Sequence, residues 1–546
     1  MSSQKPLRIP VFIWIAGAAF LAAAPMLFLG NAWGYDFDFH TSMWMSAEQQ
    51  FRHGILLPRW AAVPNAGFGE PSLIFYPPLS WMAGGVLGLI LPWKFAACAY
   101  VFLALMLAGG AMWKLAADWL EPTGAVVAGI LYALNPYLLA TVYKRSDFGE
   151  LLSGALFPLL IWAAIRIGRD GPRMIPPLAI TFAAIWLADL PAGMIASYSV
   201  ALLAAVGSIR LRSPRPALLS SIAMVAAFAS LAFFLLPAAW ERQWVEIGLV
   251  FRPDWVPENN FVFMANPDPI MLLFSRAISA IAVLLVLAGA VAAVFSRRLR
   301  RLEPNIWYLL VALGGASAFL LFRPSWIVWQ ILPSLRYVEY PYRWLTPLAA
   351  VDAVLVAAAI GETSRKQLLQ VAAVAGTGLI GVAMLFTVRW DSHNRHMNEI
   401  VTDERNETGF RFTESKDWRL PLHSHPSGLP DFAPPVAPSD NSQGVRIDFM
   451  QLTPERKVFS VESPRPVLLK IKLLNYPAWQ AKLNGRIVPL QTDPETGQML
   501  LTSPSGFTRA EIAFTRTWDR TAGMVISYAS ILTLALIGVI RRRKSA

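Results

Sequence analysis

The chain has 546 residues, of which 55% are hydrophobic and only 15% are charged, and its formal net charge at pH 7 is +12. Soluble domains are about a quarter charged, whereas this sequence repeats apolar stretches of about 20 residues, the length that crosses a bilayer. The composition therefore predicts a polytopic α-helical membrane protein. The basic residues stand in short clusters between apolar runs, which indicates membrane orientation and excludes the basic stripe of a nucleic-acid-binding protein. The single cysteine, Cys98, excludes an intrachain disulfide and a cysteine metal cluster.

About twelve apolar runs are predicted to span the membrane. The first, Val11–Gly30, resembles a signal peptide, but no clean small-residue cleavage site precedes Asn31, so it is interpreted as a retained span. The predicted spans are Val11–Gly30, Lys94–Ala116, Gly124–Thr141, Leu151–Ile167, Met174–Asp189, Gly193–Ser208, Ala217–Leu236, Ile270–Phe295, Ile306–Phe322, Trp344–Ile360, Leu368–Val388 and Gly523–Ile540.

Basic clusters predict which side of the membrane each loop faces, because cytoplasmic loops carry the excess of Lys and Arg. With the spans alternating in this order, every cluster falls on one side, so both termini are predicted to be cytoplasmic and the longer loops extracytoplasmic. The clusters are Lys5/Arg8, Arg166/Arg169/Arg173, Arg210/Arg212/Arg215, Arg297/Arg298/Arg300/Arg301, Arg365/Lys366 and Arg541/Arg542/Arg543/Lys544.

One further apolar run, Ser72–Leu91, does not fit this alternation as a full span, since every later cluster would then change sides. It contains FYPPL, and two consecutive prolines break a helix. We expect a re-entrant or interfacial segment; an ordinary span with another one miscounted is the alternative.

The sequence divides into three parts: residues 1–388, a transmembrane domain with a long first loop at 31–93; residues 389–522, a polar segment; and residues 523–546, the last span with a basic tail. The polar segment is first proline-rich and then has the alternation of β-strands, as in AWQAKLNGRIVPL, where Asn484-Gly485 is a hairpin turn. It is predicted to form a small extracytoplasmic β-sandwich.

The first loop opens with GYDFDFHTSMW, which places Asp36, Asp38 and His40 close to membrane level, where charged groups are costly and suggest function. An amphipathic interfacial helix is expected here, with an apolar stripe of Phe37, His40, Trp44, Ala47 and Phe51. In the alternative interpretation the aspartates only cap this helix and the stripe rests on lipid, and His40 is a packing residue.

Two other short loops combine charges of both signs. YKRSDFGE carries Lys144, Arg145, Asp147 and Glu150, which suggest an anion site beside an acid; interfacial anchoring with internal ion pairs is the alternative.

The second of these loops, LRYVEYPYRW, places Arg336, Glu339 and Arg343 among tyrosines. This pattern suggests a phosphate clamp with aromatic faces for a sugar, or an ordinary aromatic belt at the membrane interface.

Several of these stretches together resemble a known family. GYDFDFH, HGILLPRW and GFGEPSLIFYPPL are similar to the first extracytoplasmic loop of GT-C-fold membrane glycosyltransferase-like proteins, in particular the bacterial "6-pyruvoyl-tetrahydropterin synthase-related" membrane proteins and the YfhO-like group. ALNPYLLATVYKRSDFGE is similar to the second loop of these proteins, and NYPAWQAKLNG resembles the β-domain of the YfhO-like group. The resemblance extends over nearly the whole chain, although the second loop departs from the commonest pattern.

The resemblance implies a GT-C-like hexosyl- or pentosyltransferase of the bacterial cytoplasmic membrane. Such an enzyme transfers a sugar from a polyprenyl phosphate or diphosphate donor to an extracytoplasmic glycan, lipid or protein. By motif position, Asp36 matches the acidic residue that acts as the general base in such enzymes, and Asp38 is the second candidate. Asp38 and Asp147 are the expected ligands of a divalent cation (Mg²⁺ or Mn²⁺). The expected substrate-binding residues are His40, Arg59, Tyr76, Lys144, Arg145, Asp147, Glu150, Glu339 and Arg343.

Two alternatives belong to other functional classes. A transporter or flippase of lipid-linked glycans needs ionisable residues in the middle of its spans, whereas here the charges gather at the predicted extracytoplasmic ends, with Asp352 an exception. A non-catalytic assembly protein for cell-envelope polysaccharide would use the β-domain for binding.

Overall fold

The computed structural model describes residues 10–251, 255–264, 269–405, 419–422, 424–430, 433–440 and 443–543. Over these residues the chain is mostly helical, with a β-domain between the last two long apolar helices. The predicted basic clusters Lys5/Arg8 and Lys544 lie outside the described residues, as does part of the proline-rich segment before the strands.

Proline begins many of the helices, for example at Pro78, Pro122 and Pro304, where the first turn needs no N–H donor. The α-helices are α1 Val11–Ala23, α2 Pro25–Leu29, α3 Phe37–Arg52, α4 Ser72–Phe75, α5 Pro78–Ile90, α6 Trp93–Ala116, α7 Pro122–Ala133, α8 Pro136–Ala140, α9 Phe148–Asp170, α10 Ile175–Ala188, α11 Leu190–Leu211, α12 Arg215–Ser230, α13 Ala232–Glu241, α14 Pro269–Phe295, α15 Arg297–Leu302, α16 Pro304–Leu320, α17 Trp326–Ile331, α18 Leu345–Gly361, α19 Lys366–Leu385, α20 Arg395–Arg405 and α21 Trp518–Arg543.

Within the described residues, nine helices are long and apolar enough to cross a membrane, or up to eleven if each of two bent pairs is one span. The bent pairs are α12 with the segment Ala232–Trp244, at 68°, and α16 with the segment Arg323–Ile331, at 98°. One of the nine, Phe148–Ala188, is 41 residues long, about twice what a bilayer requires. It consists of α9 and α10, which pack side by side and correspond to two predicted spans. The prediction of a multi-pass membrane protein is confirmed.

The segment predicted to be re-entrant or interfacial forms two short helices, α4 and the 13-residue α5, separated at Tyr76–Pro77. By length α5 is too short to cross a bilayer of about 30 Å. It packs against α3 through glycines: a Cβ at Gly84 would lie 2.0 Å from the ring of Trp44. This close approach fixes α3 beside α5.

The helix expected after the first aspartates is present as α3, but its apolar stripe is not a lipid-facing surface. Phe37, Trp44 and Ala47 are fully buried and His40 is 2% exposed. Trp44 stacks on Tyr100 of α6, with ring centroids 4.9 Å apart. The stripe therefore packs inside the protein, because the neighbouring helices offer it aromatic surface, which an amphipathic pattern alone does not reveal.

The β-domain consists of two antiparallel sheets with a shared apolar core, which confirms the predicted β-sandwich. The predicted Asn484-Gly485 turn joins β5 to β6, and both turn residues have positive φ, +48° and +83°. The strands are β1 Val436–Pro438, β2 Arg446–Thr453, β3 Arg456–Ser463, β4 Val467–Leu474, β5 Trp479–Leu483, β6 Arg486–Val488, β7 Gln491–Thr492, β8 Gln498–Ser503 and β9 Gly506–Phe514; their orders are β1-β4-β8-β7 and β2-β3-β9-β5-β6.

The first loop completes the core of this domain. Trp60, Phe68 and Phe75 are buried among the β-domain residues, and the N–H of Leu474 donates to the carbonyl of Phe68 at 3.0 Å. The rings of Trp60 and Trp479 meet edge to face at 5.4 Å. The β-domain and the first loop thus share one apolar core.

A buried ion pair holds the helices that flank the β-domain. Arg520, in the first turn of α21, donates two hydrogen bonds of 2.7 Å to the carboxylate of Glu241 at the end of α13. The hydroxyl of Tyr476, from the β-domain, donates to the same carboxylate at 2.7 Å. Since both charged side chains are at most 5% exposed, each neutralises the other.

We expect Arg520→Ala to destabilise the protein by roughly 3–5 kcal/mol, because it leaves the buried carboxylate of Glu241 without its counter-charge. Thermal unfolding of the detergent-purified protein measures this loss. Arg516→Ala, which removes an exposed arginine one turn earlier, is the matched control. Equal unfolding temperatures for the two variants would contradict the assigned role of the pair.

Candidate active site

The two predicted extracytoplasmic loops meet through their backbones. The N–H of Asp36 donates to the carbonyl of Arg145 at 2.7 Å, and the N–H of Gly34 donates to the Oγ of Ser146 at 3.0 Å. A Cβ at Gly34 would lie 2.4 Å from the carbonyl carbon of Arg145, so only glycine permits this approach. The contact brings the carboxylate of Asp36 close to the guanidinium of Arg145.

Local backbone geometry determines the conformation of the second loop, Tyr143–Glu150. Residues Thr141–Arg145 form a π-helical turn, a feature frequent at functional sites, and Ser146 is left-handed, with φ +55°. Asp147 then caps α9, its Oδ1 accepting from the N–H of Glu150 at 2.9 Å. Together these features turn Arg145, Asp147 and Glu150 towards one another.

Arg145 is the centre of a carboxylate–arginine cluster, defined here as Asp36, Arg145, Asp147, Glu150, Glu339 and Arg343. One of its nitrogens, Nη2, lies 2.7 Å from Oδ2 of Asp147 and 3.3 Å from Oδ2 of Asp36. The other, Nη1, donates to Glu150. Three carboxylates therefore surround one guanidinium that is 8% exposed, which satisfies the requirement that a buried charge be paired.

Arg343, at the start of the span Pro341–Gly361, joins the same cluster from the far end of the sequence. Its Nε lies 3.1 Å from Oε2 of Glu150, and its Nη1 lies 2.9 Å from Oε2 of Glu339. Glu150 thus bridges the two arginines. Glu339 has φ +64°, a strained conformation for a residue with a side chain and one that concentrates at functional sites.

The cluster contains four carboxylates against two guanidinium groups, so it is short of positive charge. Asp36 is the most accessible carboxylate: its side chain is 38% exposed, against 21% for Glu339, 5% for Asp147 and 3% for Glu150. Although Asp36 occupies the N-cap position of α3, its side chain makes no capping hydrogen bond. It is left facing Arg145 and the accessible side of the cluster.

The acidic groups of the cluster differ in proton affinity. Although its side chain is partly exposed, the surrounding protein removes part of the hydration of Asp36 and raises its pKa more than the Arg145 cation lowers it, and the neighbouring charge of Asp147 adds to the increase. Burial alone would also raise the pKa of Asp147, but Arg145 and the neighbouring imidazole of His40 hold it well below its usual range. Asp36 is therefore the better proton acceptor of the two, and Asp147 the more permanent anion.

Aromatic rings line two sides of the cluster. The guanidinium of Arg145 lies 5.9 Å from the ring centre of Tyr340 and 5.8 Å from that of Tyr342, and these two rings stack on each other. On another side, the ring of Tyr76 meets those of His40 and Phe39 edge to face. Such walls exclude water and strengthen the electrostatic interactions between the charges.

The predicted site residues thus fall into two groups. The structure brings Asp36, Arg145, Asp147, Glu150, Glu339 and Arg343 into one cluster, bordered by Tyr76 and by His40, whose Nε2 lies 3.4 Å from Oδ1 of Asp147. Asp38, Lys144 and Arg59 have other contacts. Lys144 donates to the carbonyl of Thr387, and Arg59 donates to the carbonyl of Phe233 at 2.8 Å, near the β-domain.

Asp38 connects the first loop to α20. Its Oδ1 accepts from the indole of Trp33 at 3.1 Å and lies 2.6 Å from Nε2 of His396. The rings of Trp33 and His396 stack at 3.7 Å, and the guanidinium of Arg389 covers Trp33 at 3.5 Å. These contacts make Asp38 the anchor of α20.

A divalent cation held by Asp38 and Asp147 is not supported by the positions of these side chains, since one binds His396 and the other Arg145. Among the residues that the structure describes, no group of three His, Cys, Asp or Glu side chains is arranged to hold a metal ion.

Sequence reasoning missed three neighbours of the site. Tyr137 donates its hydroxyl to Glu150. Asp189 caps α11, and burial together with the charge of Asp147 raises its pKa to about 8. Arg419, which precedes the proline-rich part of the chain, covers the ring of Phe39 at 4.1 Å. The N-cap pattern Asp189-Leu190-Pro191 is a sequence signal for the position of Asp189. The positions of Tyr137 and Arg419 depend on tertiary contacts.

No family model matches the sequence, and no curated protein matches it. Several solved structures are similar to it. ArnT from Cupriavidus metallidurans, bound to undecaprenyl phosphate, is 14% identical over 69% of this chain and 63% of that chain, with a TM-score of 0.40. The oligosaccharyltransferase AglB from Archaeoglobus fulgidus, in complex with an inhibitory peptide and a dolichol-phosphate, is 13% identical over 68% and 55%, with a TM-score of 0.39.

The Archaeoglobus fulgidus oligosaccharyltransferase in complex with Zn and sulfate is 15% identical over 68% of this chain and 51% of that chain, with a TM-score of 0.34. This chain therefore spans between 51% and 63% of the length of these three structures. At this level of similarity, the function of the present protein has to be argued from the geometry of its own site.

The contact between Asp38 and His396 predicts a pH-dependent α20. Burial alone would lower the pKa of His396, but its hydrogen bond to Asp38 and the nearby acidic charges outweigh burial and raise it. The stabilisation is therefore complete below the usual histidine pKa of about 6.5 and is lost as the pH rises through the raised value.

Hydrogen exchange of residues 395–405, corrected for intrinsic rates, checks this expectation. Protection of α20 should decrease as the pH rises, and Asp38→Asn should weaken the protection and flatten its pH dependence. Asp448→Asn, which makes the same change at an exposed aspartate of β2, is the control. Protection that stays independent of pH in the unmodified protein would contradict the assignment.

Proposed function

We propose that the protein is an integral-membrane glycosyltransferase that takes a sugar from a polyprenyl phosphate or diphosphate donor and transfers it to an extracytoplasmic acceptor. The observation that supports this most is the partly exposed carboxylate of Asp36, held 3.3 Å from the buried guanidinium of Arg145. A transferase of this kind needs a general base and a cationic group for the leaving phosphate at the same place. Both are present where the two loops meet.

In the proposed reaction, Asp36 accepts the proton of the acceptor hydroxyl. The acceptor oxygen forms a bond to the anomeric carbon of the sugar, and the bond from that carbon to the donor phosphate breaks. The electron pair of the broken bond stays on the phosphate oxygen. The raised pKa of Asp36 suits this step, because a base is most effective when its pKa approaches the working pH.

Arg145 links the transfer of the proton to Asp36 with the departure of the donor phosphate. While Asp36 is ionised, Nη2 of Arg145 is shared between Asp36 and Asp147. When Asp36 gains the proton it becomes neutral and attracts Arg145 less, so that this N–H group is released towards the developing charge on the phosphate. The contacts of Arg145 with Asp147 and Glu150 keep the guanidinium in place.

A divalent cation remains a prediction for this enzyme, and no step of the mechanism is assigned to it. In the site as described, the two arginines supply the positive charge. The tyrosine faces beside them, Tyr340 and Tyr342, offer apolar surface for a sugar ring.

The transporter alternative rests on Asp352, a 5%-exposed acid in α18. Its two carboxylate oxygens have no hydrogen-bond partner within the described residues, and a Cβ at Gly289 of α14 would lie 2.1 Å from one of them. A substrate pathway needs several ionisable groups and broken helices at that depth. The carboxylate–arginine cluster favours the transferase.

We expect Asp36→Asn to reduce sugar transfer by about 100-fold or more, the usual contribution of a general base. The assay uses protein reconstituted in liposomes with radiolabelled polyprenyl-phosphate sugars and counts label released from the donor. Asp38→Asn, a matched change two residues away that leaves the cluster intact, should retain most of the activity. Undiminished transfer by Asp36→Asn would refute the base assignment.

The same assay measures how kcat/KM depends on pH on the acidic side. Because the pKa of Asp36 is raised, kcat/KM should fall as the pH drops through a value above the ordinary aspartate pKa of about 3.9. Asp147→Asn removes a like charge and leaves Arg145 more available to Asp36, so the fall should move to lower pH. If Asp147→Asn does not shift the acidic fall of kcat/KM, the influence of Asp147 on the pKa of Asp36 is contradicted.

A further inference from the structure

The β-domain carries a groove that the proposed transfer reaction does not use. It has a volume of about 470 Å³, within the range of small-ligand sites. Its floor is formed by β5 and the turn before it, and one wall by Trp244, which follows α13. Val245 pairs with Pro421 in an isolated antiparallel bridge, which closes that wall.

The lining of the groove combines aromatic rings with short neutral polar groups. Trp244, Tyr476 and Trp479 supply the rings, and Asn475 and Gln480 supply amides. Among the described residues that line the groove, none carries a charge. This composition disfavours phosphates, nucleotides and acidic ligands, whose charges would need counter-charges.

Two of these rings are themselves buried. Tyr476 is 1% exposed and Trp479 is 5% exposed, and the ring of Trp479 is fixed by edge-to-face contacts with Trp60 and Phe514. The half-buried ring of Trp244 is therefore the aromatic surface that a ligand in the groove reaches.

The groove is also rigid before any ligand binds. Three prolines, Pro421, Pro477 and Pro489, restrict its rim. The hydroxyl of Tyr476 is held by Glu241, which in turn is paired with Arg520. A preformed site loses less conformational entropy on binding.

From this lining we infer that the groove binds a neutral saccharide, with the ring of Trp244 against an apolar face of the sugar and the amides of Asn475 and Gln480 on its hydroxyl groups. Aromatic side chains with a polar handle are suited to such a ligand, which is apolar on its faces and polar at its edges. The site is separate from the carboxylate–arginine cluster, so binding there does not depend on transfer activity.

The test is binding of the full-length protein to an array of neutral oligosaccharides, followed by calorimetric titration of those that bind. The protein is purified in an amine-oxide detergent, because maltoside head groups are themselves saccharides and would compete. We expect at least one neutral oligosaccharide to bind. Trp244→Ala and Gln480→Ala should each weaken it by about tenfold or more, the loss of one aromatic or hydrogen-bonding contact.

Two matched controls keep the residue type constant. Trp240→Ala removes a tryptophan that packs on Trp518 and does not line the groove, and Gln451→Ala removes an exposed glutamine of β2. Both should leave the affinity unchanged, as should Asp36→Asn, which separates this inference from the transfer mechanism. Absence of saccharide binding, an equal loss in the controls, or selective binding of peptides in the groove would overturn it.

Discussion

The buried guanidinium of Arg145 is the constraint on which the functional end of the molecule depends. A charge at 8% exposure has to be neutralised where it lies, and here three carboxylates from two loops do so. That requirement determines the glycine that lets the loops approach, the π-helical turn that presents the arginine and the second arginine that Glu150 shares. Within this arrangement Asp36 combines a charged partner with the largest exposure of the four carboxylates, and so the acid assigned as base in the proposed transfer is also the one that a substrate can reach.

The transmembrane domain and the β-domain are closely connected, and the β-domain is not simply appended to the helices. Trp60 and Phe68 of the first loop lie in the β-domain core, while Asp36, at the beginning of the same loop, belongs to the carboxylate–arginine cluster. The Glu241–Arg520 pair then joins the end of α13 to the start of α21, and Tyr476 of the β-domain binds the same carboxylate. The first loop therefore joins the core of the β-domain to α3 and the cluster, which gives the groove a structural connection to the proposed chemistry.

Much of the architecture was predictable, because bilayer length, basic clusters and strand alternation are local signals. The helices, the sandwich with its Asn484-Gly485 turn and the grouping of Asp36 with Arg145 and Arg343 all follow from such signals. The partners of individual side chains do not. Asp38 and Asp36 stand two residues apart and have different roles only because His396, more than 350 positions later, lies beside one of them. Likewise, the stripe of α3 has the pattern of a lipid-facing surface, and only the rings of Tyr100 and Phe148 make it interior.

The shared core has a consequence for biosynthesis. Residues 60–75 leave the ribosome long before residues 436–514, with which they pack. At about 5–20 residues per second, the aromatic side chains of the first loop wait roughly 20–80 seconds for their partners. During that interval Trp60, Phe68 and Phe75 are unburied, and the apolar surface of the loop is open to proteases, chaperones and neighbouring nascent chains. Completion of this shared core is consequently one of the last steps of synthesis, and truncation late in the gene would leave residues 60–75 without the β-domain residues that bury them.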